Sequence, residues 1–251
     1  MVTFKRPLWI FFDLDDTIWD FKKNSMISLR QLYDTSSILK KYFKTFDELD
    51  IEYHIHNSYL WDALSRGEIS SHDLKAERWR RTLLSKSTKV MTEICEELDR
   101  NYLDILASIP NVVANAHEVL ARLQQKVLIG VISNGFAATQ YQKVRFSGLW
   151  RYITRIIVSE EIGKAKPDKA LFNYAESETG AVAPHIMVGD NLTADVIGAM
   201  KAGWYAIWMN PEAKDHPDIL KLSETHCFNP SFYLGSVKTL EEVETILLNL
   251  I

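Results

Sequence analysis

The sequence predicts an α/β protein: a parallel sheet with helices on both faces, interrupted once by an all-helical insert. Three observations carry this. Outside residues 20–107, short apolar runs alternate with helical patterns, the order expected of a parallel sheet. From Asn24 to about Ser108 the apolar spacing is helical, with no strand pattern. The polar clusters follow directly on the apolar runs, at the edge where open parallel sheets bind ligands.

The first run, Leu8–Phe12, is rich in aromatic and branched residues and reads as a strand buried on both faces. It leads into Asp13, Asp15, Asp16 and Thr17. Asp13 and Asp15 are two apart, so in extended backbone they project to one side. Carboxylates held that close repel unless a cation or a shared proton intervenes. By itself this segment also fits a polar turn capping a helix, Asp16 above all.

Within the insert, Thr45 and Glu48 form a candidate capping box ahead of Leu49, Tyr53, Leu60 and Leu64. Arg66-Gly67-Glu68 breaks that helix, and Ser70 or Ser71 can cap the next. Val90, Met91, Ile94, Cys95, Leu98, Tyr102 and Ile105 give a further helix one apolar face. After Pro110 a helix at about 116–125 precedes a second buried strand, Val127–Ile132, ending in Ser133-Asn134-Gly135. Arg155–Val158 is a third strand. Lys166-Pro167-Asp168 follows, with Pro167 expected in the first turn of a helix, where its missing N–H costs nothing. His185–Gly189 is a fourth strand ending at Asp190, and its helix, about 194–202, stops at Gly203. Strands at 204–208 and near 232–234 and a helix at 239–248 complete the core. The expected division is a core of residues 1–19 and 108–251 and a helical insert of 20–107.

Composition narrows the function. The 251-residue chain has 47% hydrophobic and 25% charged residues, as globular proteins do. A net charge of −4 argues against a partner that is a nucleic-acid polymer. Cys95 and Cys227 are the only cysteines, which suits a reducing cytoplasm. Lys5 and Arg6 precede an apolar run too short for a signal sequence or a membrane span. A small phosphorylated metabolite remains open as a partner.

The polar clusters suit phosphoryl chemistry. A carboxylate can attack phosphorus and form an aspartyl-phosphate. Such a reaction needs an acid for the leaving oxygen, a hard cation such as Mg²⁺, a fixed positive charge and hydrogen-bond donors. Asp13, Asp15, Asp190, Lys166, and Ser133 with Thr17 fill these places.

These segments resemble the four motifs of the haloacid dehalogenase-like hydrolase superfamily. Asp13-Leu-Asp15-Asp-Thr17 is similar to the first, Val131-Ile-Ser133-Asn134-Gly135 to the second, Lys166-Pro167-Asp168 to the third and Gly189-Asp190-Asn-Leu-Thr-Ala-Asp195 to the fourth. The resemblance spans the whole core and implies a Rossmann-like sheet with a type I (C1) helical cap. It implies Asp13 as nucleophile and Mg²⁺ ligand, and Asp15 as acid and base with its backbone carbonyl on the metal. Thr17, Ser133 and the Asn134 backbone N–H are implied to hold phosphate, and Lys166 to neutralise it. Asp190 and Asp195 complete the implied metal ligands. Ile18-Trp19-Asp20-Phe21, Asn24-Ser25, Phe136, Gln140, Lys143 and Ser147-Gly148-Leu149 further resemble pyrimidine 5′-nucleotidases acting on noncanonical nucleoside monophosphates. Where the family often has Pro-Gly at its re-entry to the core, this chain has Ala114-Asn115; Asn tolerates a left-handed turn.

Other residues are read against plainer roles. Lys164 is the rival of Lys166. His54 and His56 lie two apart on a helix and do not share a face, so they are read as surface or core histidines. Arg78-Trp79-Arg80-Arg81 is read as a solvated helix face with Trp79 inward, although Arg78 could reach substrate. Phe136 fits a core aromatic or a base-stacking residue equally. Rival functions are a 2-haloacid dehalogenase, for which Asp15 has no use, a sugar-phosphate phosphatase or mutase, and a non-catalytic phosphate-binding module.

Overall fold

The computed structural model describes residues 8–180, 184–212 and 217–250. Residues 1–7, with Lys5 and Arg6, lie outside them. The chain divides into two compact units, one of residues 1–20 and 111–251 and one of 21–110.

The first unit is built on a six-stranded, all-parallel sheet. Its strands are β1 (Trp9–Phe12), β2 (Leu128–Ser133), β3 (Arg155–Val158), β4 (His185–Gly189), β5 (Tyr205–Met209) and β6 (Tyr233–Val237), in the order β3-β2-β1-β4-β5-β6. This is a Rossmann-like order, and β1 lies where it reverses. In register, Phe12 stands beside Val131 of β2 and Val188 of β4. The residues that follow these strands therefore emerge side by side.

All four β1 residues are buried. By strand alternation Trp9 and Phe11 share one face, and Ile10 and Phe12 the other. Phe11 joins Met187, Phe172, Val196 and Trp204 in one core layer. Its ring lies over Gly130, where an added Cβ would sit only 2.2 Å from Phe11 Cε1. Glycine at 130 leaves the space that ring fills.

The unit's helices are α6 (Ala116–Leu123), α7 (Ala137–Phe146), α8 (Ser159–Ile162), α9 (Lys169–Thr179), α10 (Gly198–Ala202), α11 (Ile219–His226) and α12 (Leu240–Leu248), numbered after the five of the second unit. Leu171 and Phe172 of α9 and Met200 of α10 belong to the Phe11 layer, while α6 packs on α12, which packs on β5 and β6. Asn115, ahead of α6, has φ +60, the left-handed turn that Asn tolerates.

Three local expectations change. Pro167 does not enter a helix: α9 begins at Lys169, capped by Asp168, whose side chain accepts from Ala170 N–H. The segment after β4 opens with a wide π-type turn, Leu192–Ile197, before α10. The helix α11, capped by Asp218, is an element the sequence reading did not place; none of its residues is fully buried, and Leu222 packs partly buried on the core.

The second unit is all helical among its described residues: α1 (Phe21–Thr35), α2 (Leu39–Tyr42), α3 (Phe46–Ser65), α4 (Ser71–Leu84) and α5 (Thr92–Ser108). Thr45 caps α3 by accepting from Glu48 N–H, but Glu48 returns its carboxylate to Lys44 N–H, one residue earlier than a capping box requires. Ser70 and Asp73 form the full reciprocal box on α4. The interior is aromatic: Tyr53, Trp79 and Tyr102 are fully buried, with centroids 5.0 Å (Tyr53–Trp79) and 5.2 Å (Tyr53–Tyr102) apart. Arg78 is buried with them and pairs with Asp99 at 2.5 Å. Its charge is therefore engaged inside the unit.

Candidate active site

The carboxyl ends of β1, β2 and β4 place Asp13, Ser133 and Asp190 along one edge of the sheet. Asp13 is held by its N–H donating to Val188 O of β4, 2.8 Å away. Lys166 crosses to it from the loop after α8. Its Nζ lies 2.5 Å from Asp13 Oδ1, 2.7 Å from Asp195 Oδ1 and 2.8 Å from the carbonyl oxygen of Ile132. Lys166 is 2% exposed. Lys164, its rival in the sequence, is exposed and pairs with Asp168 instead.

The Lys166 loop is fixed by Asn134. Asn134 Oδ1 accepts from Lys166 N–H at 2.8 Å, and its Nδ2 donates to Lys166 O at 2.9 Å. This two-point clasp joins the second and third motifs across 32 residues. Thr17 is fully buried, and its Oγ1 accepts from Asp190 N–H at 3.1 Å, tying the first motif to the fourth. Trp208 Nε1 donates to Asp190 O at 2.8 Å, and Asp195 Oδ2 accepts from Asn191 N–H at 3.0 Å.

Carboxylate oxygens of Asp13, Asp190 and Asp195 lie within 4.8 Å of one another. Gly189 makes this convergence possible. A Cβ there would lie 2.2 Å from Asp195 Oδ2 and 2.3 Å from its Cγ.

One ammonium does not balance three carboxylates. Burial pushes the Asp13 carboxyl well above the ordinary range; Lys166 opposes this, while Asp195, Asp190 and Asp15 add to it. Burial, with the Asp195 and Asp16 charges, pushes Asp190 up to about 7. Burial also disfavours the Lys166 charge, but Asp13 and Asp195 outweigh it and hold that lysine protonated. A site that drives its own carboxylates toward neutrality lacks positive charge. Its donors are hard oxygens close enough to share one small ion, which fits Mg²⁺.

Asp15 lies beside this group and points to α7. Its Oδ1 is 2.7 Å from Lys143 Nζ, and its Oδ2 accepts from Gln140 Nε2 at 2.8 Å. Gln140 Nε2 also donates to Ser133 Oγ at 2.5 Å. Phe136 is buried, at 4% exposure. His54 and His56 lie on α3 beside Asp50 and Glu52, in the other unit. The clasp of Asn134 and the contacts of Lys143 and Gln140 were not legible in the sequence.

The match to a family model decides the affiliation. Residues 8–203 match the haloacid dehalogenase-like hydrolase family. The chain belongs to that family. It is 30% identical to the HAD-hydrolase YfnB of Bacillus subtilis over 93% of this chain and 97% of that one. It is 29% identical to the pyrimidine 5′-nucleotidase YjjG of Escherichia coli, over 94% and 96% of the two chains. The pyrimidine 5′-nucleotidase PynA of Streptococcus pneumoniae is 27% identical over 81% of this chain and 84% of its own. A crystal structure of YfnB bound to magnesium superposes with a TM-score of 0.80 at 28% identity, covering 97% of this chain and all of that one. A Xanthobacter autotrophicus L-2-haloacid dehalogenase shares the fold at 14% identity and a TM-score of 0.69, each chain fully covered. The chain is thus a hydrolase of this family. No helix among the described residues is long and apolar enough to cross a membrane.

Proposed function

We propose that this hydrolase is a Mg²⁺-dependent phosphomonoesterase working through an aspartyl-phosphate, with pyrimidine nucleoside 5′-monophosphates as substrates. The observation that carries it is the cluster of Asp13, Asp190 and Asp195, two of which, Asp13 and Asp195, pair with one buried lysine, with Asp15 two residues beyond Asp13. Asp13, Asp190, Asp195 and the Asp15 carbonyl would hold the ion. When bound, Mg²⁺ supplies charge to the phosphoryl oxygens.

Asp13 attacks phosphorus as the ester P–O bond breaks, and Asp15 gives its proton to the leaving oxygen. Lys166 faces the phosphoryl charge. Ser133 Oγ already accepts from Gln140, so its own hydrogen is left to donate to a phosphoryl oxygen. In the second half, water attacks the phosphoaspartate while Asp15 takes its proton. The Asp13–P bond breaks, releasing phosphate and restoring both carboxyls.

The nucleotide preference is supported by the two pyrimidine 5′-nucleotidases among the relatives. A dehalogenase needs neither the Asp15 acid nor three clustered carboxylates. We infer a cytosolic enzyme acting on a small phosphorylated metabolite, with Cys95 and Cys227 both free thiols.

Phosphate release from a panel of nucleoside and sugar monophosphates, with and without Mg²⁺, tests this. Release is expected to be fastest with pyrimidine nucleotides, to stop with EDTA and to vanish in Asp13→Asn. Release confined to sugar phosphates would discard the nucleotide preference. Phosphate appearing on a second sugar hydroxyl would make it a mutase. Halide release without metal would revive the dehalogenase reading, and tight nucleotide binding without turnover a binding module.

A further inference from the structure

We propose that Lys143 and Gln140 are positioning residues for Asp15, holding its carboxylate in the orientation from which it takes the proton of the attacking water. The proposal rests on the aspartyl-phosphate reading above and adds two residues to it.

The geometry is specific. Gln140 and Lys143 are three apart on α7 and so share one helix face. Lys143 is 3% exposed and Gln140 1%. Lys143 Nζ meets Asp15 Oδ1, and it stands 4.5 Å from the centroid of the Trp19 ring, whose face also favours a cation. Gln140 Nε2 has two hydrogens: one goes to Asp15 Oδ2 and the other to Ser133 Oγ. An amide oxygen in that place would face a carboxylate, so the amide orientation is set. Each Asp15 oxygen thus has its own donor, an arrangement suited to a carboxylate, which only accepts.

Two further features show that this arrangement is maintained at a cost. Gln140 Oε1 is buried without a hydrogen-bond partner, an unfavourable state for a polar atom. Gly135 leaves the space the amide fills: a Cβ there would lie 2.3 Å from Gln140 Nε2. A buried lysine engaged only for stability would not need a glutamine beside it that joins the same carboxylate to the serine of the second motif.

Asp15 serves both half-reactions, and the second isolates its role as base. In that half the water oxygen–phosphorus bond forms, the Asp13–P bond breaks and the water proton goes to Asp15. A misplacement of about 1 Å can cost about 10²-fold in such a step. The test uses 4-nitrophenyl phosphate at saturating Mg²⁺, because nitrophenolate leaves without a proton and the first half then needs no acid. In Lys143→Met, kcat is expected to fall about 10²-fold, while kcat/KM, which reports phosphorylation of Asp13, stays near wild type. A burst of one nitrophenolate per enzyme should precede the slow steady state. Lys143→Arg should recover most of kcat. Gln140→Leu should give the same split, and it carries the test if Lys143→Met does not fold. A parallel fall of kcat and kcat/KM, or an unchanged kcat, overturns the proposal while leaving the aspartyl-phosphate intact. Turnover by Asp13→Asn on the same substrate overturns the aspartyl-phosphate and the proposal with it.

Discussion

Gly189→Ala adds one methyl group at the end of β4 and should dismantle the proposed metal site without replacing a ligand. The added carbon would lie 2.2 Å from Asp195 Oδ2, 2.3 Å from Cγ and 2.5 Å from Cβ. Non-bonded heavy atoms sit about 3.5–4.0 Å apart, so the Asp195 side chain must move by more than about 1 Å. It has little freedom to do so. Asp195 is 1% exposed, is held by Lys166 Nζ and Asn191 N–H, and sits in the turn that follows β4. Overpacking of this kind costs about 1–3 kcal/mol of stability, which a protein of ordinary stability survives folded. Disturbing a metal site's support costs about 10–100-fold in affinity or activity. Titration calorimetry should show Mg²⁺ binding weakened by that amount. Circular dichroism should show an intact fold, and kcat/KM for phosphate release should fall in step. A folded variant that binds Mg²⁺ and turns over like wild type would refute the argument that this glycine exists to admit the Asp195 carboxylate.

Lys166→Met removes the cation that pairs with both Asp13 and Asp195; kcat is expected to fall about 10²–10³-fold, read by phosphate release at saturating Mg²⁺. Asp99→Ala leaves the Arg78 guanidinium buried without its carboxylate, at an expected cost of about 3–5 kcal/mol in urea unfolding. The paired change Arg78→Met with Asp99→Leu should recover most of that loss, because two buried charges then disappear together. Ser70→Ala removes one half of the reciprocal cap on α4 and should lower stability by about 0.5–2 kcal/mol, with turnover unchanged.

What the sequence made legible and what it hid differ for physical reasons. β1 was readable because five apolar residues end abruptly in carboxylates; burial on both faces and a polar carboxyl end are encoded locally. The strand at 185–189 was readable for the same reason. Pro167 misled because a proline before a helix and a proline inside its first turn look alike in sequence, and the cap is Asp168. The Thr45 pattern gave the capping residue but not the partner of Glu48, since a one-residue shift leaves the spacing unchanged. Asn134 on Lys166 and Lys143 on Asp15 join residues 32 and 128 apart in sequence, and no local pattern encodes such pairings. Arg78 is the reverse case. Its run of basic neighbours suggests a solvated face, yet a carboxylate 21 residues on takes it into the interior.

The helical unit leaves and rejoins the sheet at nearly one point. Asp20 N–H donates to Asn111 O at 3.3 Å, Trp19 bridges to Val112, and Val113 N–H donates to Ile18 O at 3.2 Å. The two crossing segments are thus hydrogen-bonded to each other by residues that all belong to the sheet-bearing unit. The chain between them behaves as a removable parenthesis. Closing a loop costs free energy only as the logarithm of its length, about 0.6 kcal/mol for each doubling, so this seam can carry a long insert or a short one at similar expense. An experimenter could therefore excise residues 21–110, join the ends with a short linker, and ask whether the sheet still gathers Asp13, Asp190 and Asp195.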